Sequence, residues 1–270
     1  TDIFASADLA ELAARIEFAT VSTTPRLERV EPRPDQLPLS YPQTRLWILN
    51  RLDPTAGTYN IPGAVRLRGD VDADAMTAAF GDVVSRHEPL RTIFPTDGDD
   101  PVQKVHPAGS GVTEAVFDIE DHRAEDVLDR VAELATAGFD LRQEYPFRAR
   151  LLRTTDDQGN RDHILIVVLH HIVGDGASLG PLISDVLTAY SARRGGGSPQ
   201  WSPLEVQYAD YTLWQRRLLG DEDDPDSLRG RQLAFWRTEL EGMPEFVGLP
   251  TDKPRPPTPS GAGAFFDTEL

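Results

Sequence analysis

Two adjacent histidines, His170 and His171, are followed by Asp175 and Gly176, and these four residues have the types and spacing best suited to chemistry. Imidazole can accept or donate a proton near neutral pH. Asp175 suits either a cap for the following helix or an orienting carboxylate. Gly176 suits either a positive φ or the close approach of a substrate carbonyl to backbone N–H groups. The combination indicates acyl transfer without a covalent enzyme intermediate, although a purely structural role for the histidines stays open.

The element that positions the histidines is a run of apolar, mostly β-branched residues, which predicts a buried strand over 163–170 and then a helix over 178–193. Successive residues of a strand point to opposite faces. One imidazole should therefore face the core and the other a reacting partner. The same alternation disfavours a metal site made of His170, His171 and Asp175, and we expect no bound metal.

The rest of the chain mixes helical and strand periodicity and so predicts an α/β fold. Within the helix over 124–137 we expect Leu128, Val131 and Leu134 to be buried, and Ile183 belongs to the predicted core stripe of 178–193. The predicted helices lie at 41–52, 72–87, 124–137, 178–193, 207–219 and 228–241, and the predicted strands at 59–67, 91–94, 102–106, 112–118, 147–152 and 163–170.

Both ends of the chain differ in composition from its middle. Residues 1–19 predict one amphipathic helix, and 20–38 have the composition of a linker. The main body is expected over 39–248. Residues 249–270 read as a Pro-rich linker with the start of a strand. We therefore expect this chain to be a piece of something longer.

Bulk composition excludes several classes of function. Lys and Arg number 27 against 44 Asp and Glu, a net charge of −17, which disfavours nucleic acid or an anionic membrane as the main partner. The chain has no cysteine, so disulfides, thiolate metal sites and a cysteine nucleophile are excluded, and a cytoplasmic location is expected. The longest aliphatic run, 164–169, is too short to span a bilayer.

The string His170-His171-Ile-Val-Gly-Asp175-Gly176 resembles the HHxxxDG signature of condensation domains in nonribosomal peptide synthetases. Residues 39–47 (LSYPQTRLW), 86–94 (RHEPLRTIF) and 208–214 (YADYTLW) are similar to the first, second and fourth motifs of that family. The resemblance implies a chloramphenicol acetyltransferase-like two-layer sandwich, of which 39–248 would be the N-terminal lobe. Residues 1–19 resemble the last helix of a preceding carrier domain, and 249–270 would lead to the missing second lobe.

The resemblance also implies the reaction, which is peptide bond formation between two thioesters held on phosphopantetheine arms. His171 would be the active-site histidine, acting as a base or orienting the amine, and the N–H of Gly176 would stabilise the oxyanion. His170, Asp175 and Arg91 would support the site. Asp175 is expected to pair with an arginine, for which Arg91 is the first choice and Arg86 the alternative.

The resemblance further implies partners but no cofactor bound by the chain itself. The partners would be upstream donor and downstream acceptor carrier domains, an adenylation domain and the second lobe. Gly174, the segment 58–62 and the acidic loop 220–227 favour a D-configured donor. Ala177 departs from the family, in which many members have Trp. Alternatives are a silent recruitment module, whose relatives lose the second His or the Gly, and an epimerisation domain. The isolated lobe is expected to be inactive.

Overall fold

The structure, a computed structural model, describes residues 8–17, 24–155 and 161–244, together with positions 248, 250, 253 and 254. Helix α1, Leu9–Glu17, lies within the helix predicted over 1–19. The other positions of that predicted helix fall mostly outside the described residues. Nearly all of 249–270, with its predicted linker and strand, also lies outside them.

The described elements reproduce most of the predicted order. After α1 they are α2 (Tyr41–Leu52), β1 (Asn60–Leu67), α3 (Ala73–Arg86), a 3₁₀ turn (Glu88–Arg91), β2 (Thr92–Ile93), β3 (Thr96–Asp97), β4 (Asp100–Pro101), β5 (Lys104–Val105), α4 (Val112–Val116), β6 (Phe117–Arg123), α5 (Val127–Thr136), β7 (Phe147–Thr155), β8 (Arg161–His170), α6 (Gly176–Arg194), α7 (Tyr208–Leu219) and α8 (Leu228–Glu239).

One predicted strand, over 112–118, was wrong in its first half. Val112–Val116 is a short helix that begins after Gly111, whose φ is 76°, and the strand begins only at Phe117. Val112 and Val116 are both buried. They lie four residues apart, so a helical turn places both on the same side, against the core.

The main sheet of the described chain has the strand order β1-β8-β7-β6. Strand β8 is central and pairs antiparallel with both β1 and β7, whereas β6 and β7 are parallel. The register places His170 opposite Asn60 on β1 and Leu169 opposite Phe147 on β7. The histidine pair therefore lies where the central strand ends beside the start of β1.

Helices cover both faces of this sheet, and the residues of β8 alternate between them. Leu165, Val167 and Leu169 face the core that includes residues of α3 and α6. Ile164, Ile166 and Val168 face a second core. That second core is completed by residues from α2, α5 and neighbouring loops, namely Leu39, Leu46, Trp47, Phe94, Val127, Val131, Leu134, Phe139, Leu141 and Ile172.

Two predicted core positions were wrong. Leu128 on α5 is 69% exposed and Ile183 on α6 is 57% exposed. In α5 the buried positions are Val127 and Leu134, seven residues apart, and Leu128 lies on a different face of the helix. In α6 the buried positions are Leu182, Val186 and Ala189, and Ile183 lies on a different face of the helix.

Candidate active site

His170 is the buried member of the histidine pair, with 2% of its surface exposed. Its backbone N–H donates to the carbonyl of Pro146 (2.9 Å), and its ring Nδ1 accepts from the N–H of Ile172 (3.0 Å). Burial, with a smaller contribution from the charge of His171, lowers the pKa of His170 to about 4. The ring is therefore neutral near pH 7, and its acceptor Nδ1 holds the turn that follows β8.

His171 is exposed, because it follows the last residue of the strand on the opposite side. Its backbone N–H donates to the carbonyl of Tyr59 (2.8 Å), which ties it to the chain entering β1. Within the described part of the chain, its imidazole makes no hydrogen bond or ion pair. The structure thus separates the two imidazoles as strand alternation predicts, and only that of His171 is open to a ligand.

Asp175 caps helix α6. Its carboxylate accepts from the hydroxyl of Ser178 (2.7 Å) and from the backbone N–H of the same residue (3.0 Å). The Ser178 hydroxyl accepts in turn from the N–H of Asp175 (3.1 Å), which completes a capping box. These hydrogen bonds, that of the hydroxyl first, lower the pKa of Asp175 below its usual value.

The expected ion pair between Asp175 and an arginine was wrong. Arg91 instead donates to the carbonyl of His106 and lies 3.8 Å from Glu88. Arg86, the alternative partner, pairs with Asp185 at 3.0 Å. The physical reason is exposure: Asp175 is solvated and capped by Ser178, so the partial burial of its charge costs too little to require an arginine partner.

Gly176 is the first residue of α6, and neither its backbone nor its packing requires glycine. Its φ is not in the positive region, so that reading of Gly176 was wrong. A methyl group added at this position would meet no atom within 4 Å. Among the described residues, its N–H donates to no acceptor. The remaining reading, in which a ligand approaches this backbone, is therefore open.

The structure adds two supporting residues that the sequence analysis did not single out. Gln43, buried in α2, donates from Nε2 to the carbonyl of Ile172 (3.2 Å) and so holds the turn after the histidines. Asn60 donates to the carbonyls of Ala135 (3.0 Å) and Ala137 (2.9 Å), fixing the start of β1 beside the site. The available signal for Gln43 was its place three residues after Ser40, which makes a capping box.

The described residues contain no group of three or more His, Cys, Asp and Glu side chains arranged to hold a metal ion. Within the same part of the chain, none of the helices combines the length and apolar character that crossing a membrane requires. The chemistry available at the end of β8 is therefore that of one free imidazole and one free backbone N–H at the positive end of a helix.

These features define a mixed α/β domain whose central strand ends in one buried and one exposed histidine. Residues 34–264 match the family model of the condensation domain, and the chain belongs to this family. The identification made from the motifs is confirmed, and so is the α/β fold.

Several peptide synthetases are similar to nearly the whole chain. The nonribosomal peptide synthetase CymA of Salinispora arenicola is 49% identical over 97% of this chain, and a dimodular nonribosomal peptide synthase of Bacillus subtilis is 46% identical over 97%. The chain spans only 3% and 11% of the lengths of these two proteins.

Solved structures give the same fold. The X-domain in its complex with OxyB from teicoplanin biosynthesis is 37% identical, with a TM-score of 0.76, over 88% of this chain and 50% of that one. The starter condensation domain of rhizomide synthetase is 19% identical, with a TM-score of 0.61, over 78% of this chain and 49% of that one. At this lower identity the likeness supports the fold alone.

Proposed function

We propose that this chain is the N-terminal lobe of a condensation domain and takes part in peptide bond formation between two carrier-bound thioesters. The observation that carries the proposal is the free imidazole of His171 and the free N–H of Gly176, five residues later, on the two sides of the turn that joins the central strand to α6. Both residues are exposed, and among the described residues neither of these groups has a hydrogen-bond partner.

In the proposed reaction the nitrogen of an acceptor aminoacyl thioester attacks the carbonyl carbon of the donor thioester. The carbonyl π electrons move to oxygen and give a tetrahedral intermediate. Its collapse re-forms the carbonyl and expels the thiolate of the donor arm. The nitrogen loses one proton and the thiolate gains one, so that the products are an amide and a free thiol.

His171 and Gly176 would divide the work in this reaction. An α-amino group has a pKa of about 8, so part of it is already neutral at pH 7, and His171 can act by orienting the amine as well as by accepting its proton. The Gly176 N–H, at the positive end of α6, would stabilise the oxyanion. Neutral His170 and the Asp175 cap would hold this geometry.

The proposed partners follow from the same family. Similarity to the synthetases extends over 97% of the chain and therefore beyond residues 34–264. This supports the assignment of 1–19 to the end of an upstream donor carrier, with an acceptor carrier and an adenylation domain downstream. The chain itself would hold no cofactor, since the phosphopantetheine belongs to the carriers.

We propose that the second lobe completes the site and that the 270-residue chain alone forms no peptide. Gly176, Gly180, Ile183 and Leu187 follow one another at intervals of four, three and four residues, so they share one face of α6. Ile183 and Leu187 are 57% and 61% exposed. This exposed apolar face begins at the site, which supports the proposal that a second lobe packs against it and forms the other side of the site.

For the donor we propose the D configuration, as the segment 58–62 suggests. Tyr59 places this segment at the site, since its carbonyl holds the backbone of His171 and its ring centroid lies 6.2 Å from that of His170. Competing D- and L-aminoacyl donors in one assay would test the subtype. Preference for the L-donor would contradict it.

A second candidate is a domain that binds a partner protein without catalysing peptide formation. The observation that favours it is the likeness to the teicoplanin X-domain, one structure of which is a complex with OxyB. His171 and Gly176 favour condensation. The deciding experiment loads both carriers of the complete module and identifies the product by mass and chirality. A new dipeptide supports condensation, unchanged substrates support recruitment, and an inverted donor without a new amide supports epimerisation.

A further inference from the structure

Residues 24–40, called the strap below, lack helix and extended strand structure but are held against the body of the domain. The composition of 20–38 predicts a linker, yet Leu37 within it is buried, as is Leu39 directly after it. The backbone N–H of Gln103 donates to the carbonyl of Leu37 (2.8 Å), and its side chain donates to that of Pro38 (2.8 Å). The strap is therefore part of the folded body and not a free tether.

The centre of this attachment is Arg33. Its Nε and Nη2 donate to the two carboxylate oxygens of Asp210, each at 3.1 Å, and its Nη1 donates to Glu88 at 2.6 Å. The backbone N–H of Val30 also donates to Asp210 (3.2 Å). A planar guanidinium matches such a pair of carboxylates, because it presents several donors in a fixed fork.

The side chains of Glu88 and Asp210, called the acidic socket, are shielded from solvent. Asp210 is fully buried and the side chain of Glu88 is 15% exposed. Burial raises the pKa of Asp210, but hydrogen bonds from the N–H of Gln207 and from Arg33 outweigh it and hold the pKa below its usual value. A buried carboxylate that is charged needs a cation, and Arg33 supplies it from the strap.

The rest of helix α7 continues the same attachment. Trp214 donates from its indole to the carbonyl of Pro25 (2.6 Å), and Arg216 donates to the carbonyl of Leu39 (2.6 Å). The hydroxyls of Tyr208 and Ser40 are 2.9 Å apart. Polar groups over the length of α7 are thus used to bind the strap, from its first residues to its last.

We propose that the socket of Glu88 and Asp210 fixes the strap to the body of the condensation domain through Arg33, an attachment called the mooring below. Arg33 would then be a positioning residue that limits how far the domain preceding the strap can move. Glu88 lies in the segment 86–94 and Asp210 in the segment 208–214. The proposed reaction gives these two segments no role, and the mooring gives them one. The identity of the preceding domain as a carrier rests on the proposed function, whereas the mooring rests only on the contacts above.

The mooring has a geometric consequence. With the strap bound, seven residue steps separate Glu17 from Thr24, and a fully extended chain spans about 25 Å over that distance. With the strap released, 23 steps separate Glu17 from Ser40, and the limit rises to about 80 Å. For any flexible tether longer than the span it bridges, effective concentration falls roughly as the −3/2 power of tether length, and a change from seven to 23 steps corresponds to about sixfold.

Hydrogen exchange on the 270-residue chain tests the mooring directly. Arg33→Met should speed exchange of the Val30 amide, in the peptide 25–33, by about tenfold or more and leave the peptide 161–170 of β8 protected. The control is Arg29→Met, since within the described part of the chain Arg29 pairs with Glu31 alone and both side chains are more than half exposed. Unchanged exchange over 25–33 in Arg33→Met would overturn the mooring. If Arg33→Met also speeds exchange in β8, Glu88→Gln takes its place as the test variant. It must then speed exchange over 25–33 in part and leave 161–170 protected.

Spin labels test the reach. The chain has no cysteine, so Ala13→Cys on α1 and Ser184→Cys on α6, both exposed, give one defined pair. Arg33→Met should broaden the distance distribution between them, and Arg33→Lys should restore it in part. An identical distribution in wild type and Arg33→Met would overturn the positioning role.

In the complete module, Arg33→Met should slow transfer from the attached donor about sixfold and spare transfer from a separate carrier. A module without any peptide product would contradict the proposed function but not the mooring.

Discussion

The ring Nδ1 of His170 accepts a hydrogen bond from the backbone N–H of Ile172, 3.0 Å away. An acceptor Nδ1 requires the neutral ring to carry its proton on Nε2. Protonation of Nδ1 would break this bond and bury a charge. The contact therefore divides the pair of histidines: His170 holds the turn in its neutral form, and His171 is left free beyond it.

The pKa of His170 predicts how stability depends on pH. Its pKa is about 4 in the folded chain and about 6.5 when unfolded. Between these values the unfolded chain binds more protons, so stability falls as pH falls from 6.5 to 4, by on the order of 3 kcal/mol from this group. Urea unfolding at pH 7 and pH 4.5 measures the loss. His170→Asn should reduce it, and equal losses in the wild type and in His170→Asn would contradict this role.

Gly176 and Gly180 form a matched pair on α6. A methyl group at either position meets no atom within 4 Å, so alanine should fit at both and should stabilise the helix by up to about 1 kcal/mol. We expect Gly176→Ala to lose most peptide formation in the complete module, because its methyl group would occupy the space through which a ligand carbonyl approaches the N–H, whereas Gly180→Ala, one turn further along the helix, should cost less. Thermal melts and dipeptide assays on both variants check this. Full activity of a well-folded Gly176→Ala protein would show that no ligand approaches this backbone closely enough to require glycine.

Asp175→Ala should lower the free energy of unfolding by about 1 kcal/mol, the typical cost of removing a helix cap. Asp175 is exposed and bound only to the first turn of α6, so the lobe should still fold, unlike the outcome expected of a buried ion pair. Denaturant unfolding measures the cost, and Asp175→Ser should recover much of it. An unfolded Asp175→Ala protein would show that the cap carries more than these contacts.

Gln43→Met should destabilise the chain by about 1–3 kcal/mol, because it leaves the buried carbonyl of Ile172 without its donor. Gln36→Met is the control, since Gln36 is exposed and bonds only to Asp97 (2.7 Å). Differential unfolding in urea separates the two. Equal stability of both variants would mean that Gln43 does not hold the turn after the histidines.

Local patterns were enough to predict the elements that carry the site. The β-branched run predicted β8 and its alternation predicted one buried and one exposed histidine. The bounds of α2, 41–52, were also correct. These features depend on neighbours in sequence, where periodicity and capping act directly.

Long-range pairing could not be predicted in this way. Arg33 and Asp210 are 177 residues apart, and the Pro-rich composition around Arg33 predicted a free linker. The choice of Arg91 for Asp175 failed for the same reason. Two motifs can contain opposite charges without the fold bringing those charges together. The sequence also does not reveal which charged side chains remain in solvent.

The most direct test of the proposed function is a single-turnover assay of peptide formation in the complete module, comparing wild type, His171→Ala and His122→Ala. His122 lies on β6, the opposite edge strand of the sheet from β1, and bonds to Glu120. The proposal predicts that His171→Ala lowers the rate by about 100-fold or more while its circular dichroism and melting temperature stay unchanged. His122→Ala should keep the wild-type rate. Wild-type rates from a folded His171→Ala module would contradict the proposed role of His171.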